Sequence, residues 1–179
     1  MEILEDRIVA AGNPVTPPET AQGVLDALAR DVDWHVRFAV AANPSTSAAA
    51  IEELAADDEW HVRSAVARNP ATLPDVLVEL ATDDEWHVRF AAAWNPATPA
   101  AALEELAVDD EWYVREAVAR NPATPPETLT ALAVDPDPDV RAAVADHPAT
   151  PPGTLAALTA DDNQYVRAAA SAAMARRSD

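Results

Sequence analysis

The sequence repeats itself in steps of 26 residues. Asn-Pro stands at 43, 69, 95 and 121, and His-Pro follows at 147. Val-Arg keeps the same interval at 36, 62, 88, 114, 140 and 166. An earlier Asn-Pro at 13 lies 30 residues before the next, so the first repeat carries four extra residues near 21–24. Self-similarity at such a period belongs to stacked repeats, where no single unit can bury its own apolar face and each needs its neighbours. The repeats run 13–42, 43–68, 69–94, 95–120, 121–146 and 147–172. Residues 1–12 read as a half repeat that caps the stack, because Arg7 precedes Asn13 by six, as Arg115 precedes Asn121. Residues 173–179 form a polar tail, and the expectation is a single domain over 1–179.

Each repeat spells helix–turn–helix. In 121–146, Thr124 and Glu127 read as an N-cap and capping box, with Pro125 at the first helical position. Thr16 and Glu19 repeat that arrangement. Leu129 and Leu132 give a three-residue apolar spacing, matched by Leu77/Leu80, Leu103/Leu106 and Leu155/Leu158. The spacing predicts a short first helix of about two turns, partly 3₁₀. In the second helix of 43–68, Asp57 or Asp58 is the expected cap, and Val62, Ala65 and Val66 form the apolar stripe. Glu59 stands four before Arg63, the better orientation for a helical ion pair. Asn69 ends this helix and Pro70 prevents its continuation. The fold class is therefore all-α, an α-solenoid of six repeats of about 26 residues.

The recurrent pattern NPATPPETLxxLAxDxDxxVRxAVA covers nearly the whole chain and resembles the leucine-rich repeat variant family. The resemblance implies a right-handed superhelix of alternating α and short 3₁₀ helices, and it implies no reaction. HEAT-type repeats, similar in the second half of the pattern, are the nearest competing label. Some members of the family carry a Cys-rich iron–sulfur segment near the N-terminus. This chain has no Cys, so that cofactor does not carry over and none is expected.

Charge narrows the partners. The net charge is −19 and all 12 cations are Arg. Nucleic-acid binding depends on neutralising phosphates, so such a chain is expected to avoid nucleic acid and, likewise, anionic membranes. A basic protein or peptide is the favoured partner. No stretch approaches the ~20 apolar residues of a membrane span. The acidic start lacks a long apolar run, and a cytoplasmic location is the expectation.

Several repeated residues invite a chemical reading. His35, His61 and His87 are equivalent, with Tyr113 in the fourth place. Stacked helices lie roughly 8–10 Å apart, whereas Zn–N bonds are about 2 Å, so three such His cannot share one ion. Carboxylate pairs such as Asp57/Asp58 and Asp83/Asp84 recur along the chain and are more simply helix-start signals than one tuned catalytic pair. No nucleophile elbow, zinc motif or phosphate loop is present, so the chain is not expected to be an enzyme. Arg37, Arg63, Arg89, Arg115, Arg141 and Arg167 each have an acid nearby, in the same helix or the next loop, and read as a structural ladder.

The aromatics are different. All nine lie in the second half of a repeat. On a helical wheel Trp60 falls roughly 160° from Val62, off the apolar stripe. The Ser64 position reads Phe38, Ser64, Phe90, Glu116, Ala142 and Ala168, a variety that points to a solvent-facing or partner-facing site. Trp94 corresponds to Ala42, Arg68, Arg120 and Asp146. The candidate partner-binding residues are Trp34, Phe38, Trp60, Trp86, Phe90, Trp94, Trp112 and Tyr113, since exposed aromatic patches mark interaction sites. The opposing reading is a tryptophan ladder between repeats. The same patch would also serve as the seam of a homodimer. A small-molecule, metal or catalytic site in the concave groove is the competing kind of function.

Overall fold

The protein is seen here as a computed structural model that describes residues 4–12 and 18–178. Thr16 lies outside the described residues, as does the side chain of Glu19. Among the described residues there are thirteen helices and no strand. They fall into two compact halves that divide between Ala97 and Thr98. The N-terminal half holds α1 Leu4–Gly12, α2 Pro18–Leu28, α3 Trp34–Ala41, α4 Ala48–Ala55, α5 Trp60–Arg68, α6 Pro74–Leu80 and α7 Trp86–Trp94. The C-terminal half holds α8 Ala100–Leu106, α9 Trp112–Arg120, α10 Pro126–Leu132, α11 Pro138–Asp146, α12 Pro152–Leu158 and α13 Gln164–Ser178.

The apolar pattern dictates the packing in each half. Short first helices bury Ile51, Leu54, Leu77 and Leu80 in one half and Leu103, Leu106, Leu129, Leu132, Leu155 and Leu158 in the other. Second helices bury the expected stripe, Val62, Ala65 and Val66, and its equivalents such as Val140, Ala143 and Val144. Ala67, Ala93, Ala119 and Ala145 are also fully buried, because second helices pack directly on one another: α3 on α5 and α5 on α7, then α9 on α11 and α11 on α13. Each buried Leu or Val contributes about 1.5–3 kcal/mol.

Polar side chains lock one repeat to the next. Asn69 Nδ2 donates to the carbonyls of Ala41 at 2.7 Å and Asn43 at 2.9 Å, while its Oδ1 accepts from Ala71 N. Asn95 does the same to Ala67 and Asn69. In the C-terminal half His147 replaces Asn, with Nε2 3.0 Å from the Asn121 carbonyl and Nδ1 accepting from Ala149 N. Asn69 is indeed where α5 stops, in extended conformation before Pro70.

The helix starts differ from the expected ones. Thr124 is not an N-cap. Its hydroxyl donates to the Val118 carbonyl at 2.6 Å, tying down the end of the preceding helix. Pro125 occupies the cap position and Pro126 begins α10, with no capping box. A proline at the first helical position has no N–H to satisfy, so the need for a cap is smaller. At α5 the cap position belongs to Glu59, which makes no side-chain cap bond. Asp57 acts earlier, accepting from Glu59 N at 2.9 Å in an Asx turn. The short first helices are α-helical, and each closes on tighter i→i+3 bonds such as Thr82 N to Glu79 O. No helix among the described residues is long and apolar enough to cross a membrane.

Candidate interaction surface

Trp34, Trp60 and Trp86 stand at the first position of α3, α5 and α7, each followed by His. Their rings interleave. Trp60 stacks on His61 at 3.7 Å and on His87 of the next repeat at 4.3 Å. Trp34 stacks likewise on His35 at 3.7 Å and His61 at 4.8 Å. Trp86 covers His87 at 3.7 Å. The result is a half-buried column of alternating indole and imidazole along the N-terminal half. In the C-terminal half Trp112 stacks on the exposed Tyr113 at 3.8 Å. Such offset stacks contribute about 0.5–1.5 kcal/mol each beyond their buried area.

This column restricts what these tryptophans can offer a partner. Trp34 and Trp60 each stack on two imidazoles, so much of their ring surface is already engaged within the scaffold. The three His differ in how their Nδ1 is satisfied. His35 Nδ1 lies 2.8 Å from Asp33 Oδ1, while His61 Nδ1 and His87 Nδ1 are buried without a hydrogen-bond partner. The difference has a local cause: Asp33 is short enough to reach both His35 N and its ring, and Glu59 and Glu85 in the same place are not.

Phe38, Phe90 and Trp94 lie apart from the stack. Trp94, the last residue of α7, is 53% exposed, and its ring sits 6.1 Å from that of Phe90 one turn earlier. Phe38 is 40% exposed. Ser64, expected on the surface from the variety at its position, is instead buried at 2% exposure and reaches the His87 carbonyl. A small residue is buried at that point, whereas Phe38 in the equivalent place of the preceding repeat stays exposed.

A groove opens beside Phe38, lined by Phe38, Ala42, Ala65, Arg68, Asn69 and Pro70. Sequence reasoning passed over Arg68. Its signal was the residue four earlier: Arg120 has Glu116 there and bonds it at 2.9 Å, but Arg68 has the buried Ser64.

The Arg ladder is structural, as read from the sequence. Arg63 bonds Asp83 of the next repeat through Nε at 2.6 Å and its terminal nitrogen at 2.9 Å, not Glu59. Its other nitrogen bonds the Asp57 and Asp58 carbonyls. Arg37–Asp57, Arg115–Asp135 and Arg141–Asp161 repeat the clamp. Burial pushes the Asp83 carboxyl up, but the Arg63 hydrogen bonds, the Glu85 amide and the neighbouring Arg charges outweigh it and hold it below the usual range. At Asp161 the bonds from Arg141 come first, and the carboxyl falls to about 2.

Helix pairs that recur every 26 residues, joined by side-chain clamps with the same period, define an α-helical repeat scaffold of the solenoid class. The chain belongs to the leucine rich repeat variant family, whose model matches residues 34–59, 60–85, 86–111, 112–137 and 138–163. A solved structure described as a leucine-rich repeat variant with a novel repetitive protein structural motif is similar at 30% identity and a TM-score of 0.70. That match covers 94% of this chain and 65% of the other, so this chain spans less than two thirds of that protein's length. An engineered protein is similar at 17% identity and TM-score 0.49, over 96% of this chain and 95% of that one. A designed armadillo repeat protein in complex with peptide (KR)4 is similar at 17% identity and TM-score 0.47, over 96% and 90%. No curated protein matches the chain.

Proposed function

We propose that the protein is a non-catalytic scaffold that binds a protein or peptide segment on the second-helix face of its N-terminal half. The observation that carries this reading is the Phe90–Trp94 pair, which leaves a tryptophan 53% exposed at a position where other repeats carry Ala42, Arg68, Arg120 or Asp146. An indole in water at a replaceable position adds nothing to the core. Aromatic residues of this kind dominate binding interfaces. The stacked Trp34, Trp60 and Trp86 belong to the scaffold and contribute the ring surface that the stack leaves free, as Trp112 and Tyr113 do in the other half. At longer range the net charge of −19, with Asp58 and Asp84 exposed on the loops, draws a basic partner and raises the encounter rate.

The test uses a random-peptide display library selected on the immobilised full chain. Peptides that bind the native chain should lose binding at least tenfold to the Phe90→Ala/Trp94→Ala variant, with its helical circular dichroism unchanged. Enriched peptides that bind the variant as well as the native chain would overturn this site.

A further inference from the structure

The described arginines are almost all engaged. Arg7, Arg30, Arg37, Arg63, Arg115, Arg120, Arg141 and Arg176 pair with carboxylates. Arg167 and Arg177 bond backbone carbonyls, and Arg89 also has an interaction. Arg68 alone among the described residues of this type has no hydrogen bond or ion pair, in a chain with 31 acidic residues against 12 basic. It is exposed and is the one charged residue of a groove whose other side is Phe38, Ala42, Ala65 and Pro70. One repeat further along, the equivalent position is Trp94.

The repeats provide the comparison. Arg120 holds the same place and is neutralised by Glu116. At Arg68 the neutralising position is Ser64, whose buried hydroxyl points to the His87 carbonyl instead. An unpaired guanidinium beside an apolar groove has a defined complement. Its planar fork matches a carboxylate through two parallel bonds.

On the peptide-binding reading above, we infer that Arg68 and the Phe38 groove take a peptide segment carrying one side-chain carboxylate next to a bulky apolar side chain. The carboxylate pairs with Arg68 and the apolar group fills the groove against Phe38. A terminal carboxylate is the poorer fit, since such groups are held by free backbone N–H donors. Here Pro70 has no N–H, Asn69 N is bonded to the Val66 carbonyl, and Ala71 N is bonded to Asn69 Oδ1. A doubly charged phosphate would meet a single cation in a strongly negative field. The same field requires the rest of the segment to be neutral or basic, which agrees with a partner drawn in by charge.

The library selection again provides the probe. Enriched peptides should share an Asp or Glu adjacent to a bulky apolar residue. The best of them is synthesised with its acid and with the matching amide, and both are titrated against the native chain, Arg68→Gln and Arg68→Lys. The native chain should prefer the acid form by tenfold or more, Arg68→Gln should bind both forms alike, and Arg68→Lys should keep part of the preference. Peptides enriched without an acid, or a preference that survives Arg68→Gln, would overturn the inference. If those peptides still lose binding in the Phe90→Ala/Trp94→Ala variant, the binding face stands and only the carboxylate reading falls. A library that yields no binder overturns both.

Discussion

A single substitution within the repeat pattern is expected to make the chain sensitive to mild acid. His147 stands where the other repeats have Asn, and it keeps two of the three bonds that Asn69 and Asn95 make, one to the previous repeat and one to its own turn. That requires the neutral ring with its proton on Nε2. The site is 4% exposed, and burial, more than any other influence, lowers the imidazole's pKa below 6.5. The Arg177 charge lowers it further, against the opposing effect of the Asn121 bond. Between the lowered folded value and the unfolded value of about 6.5, the unfolded chain binds more protons than the folded one. The stability contribution is full above the unfolded value and is lost as pH falls through the folded value. His147→Asn removes the titrating group and keeps the bonding pattern. Thermal unfolding of the native chain should shift down between pH 7 and pH 5, and the variant should show a clearly smaller shift. Equal shifts would mean that other groups carry the acid sensitivity.

At the scale of elements, the clamp between second helix and next loop is the joint to test. Asp83 receives two bonds from Arg63 and itself accepts from Glu85 N, so one carboxylate serves both the ion pair and the turn before α7. Its side chain is 9% exposed. Removing one partner from a fully buried pair costs roughly 3–5 kcal/mol. This pair is partly open to water, so Asp83→Asn should cost about 2–4 kcal/mol in denaturant unfolding. Asp84→Asn, one residue on but exposed, should fall within about 0.5 kcal/mol of the native chain. A comparable loss at both positions would show that net acidity, not the clamp, sets stability. This pair of neighbours also marks what could be read from the sequence. The period, the Leu and Val stripes and the role of the Arg row were legible because they follow from spacing alone. Which acid of each pair is structural was not, because it depends on the angle at which one repeat meets the next. The helix starts were misread for a related reason: Thr124 can cap its own helix or tie down the previous one, and only the corner at Asn121–Pro122 decides.

At the scale of the whole chain, repetition predicts interfaces that can substitute for one another. The stack of Trp and His was half legible, since the fixed spacing predicted either a ladder or a patch. Sequence did not show the imidazoles interleaving, because a helical wheel places a side chain on one helix and says nothing of the ring arriving from the next. Excision of residues 43–68 tests how modular the chain is. The cut joins Ala42 to Asn69 and removes α4 and α5 in register. Arg37 then meets Asp83 in place of Asp57, Trp34 meets His87 in place of His61, and Asn95 meets the Ala41 carbonyl in place of that of Ala67. Stability in such arrays is close to a sum of repeat and nearest-neighbour terms. The shortened chain should therefore unfold cooperatively, with helical content per residue unchanged and a lower Tm. It also brings Phe38 and Phe90 into adjacent repeats while deleting Arg68, so it should still bind apolar peptides but lose its preference for the acid form. A shortened chain that fails to fold would show that the repeats are not equivalent, and that the departures from the pattern, Ser64 and Arg68 among them, are built into the scaffold itself.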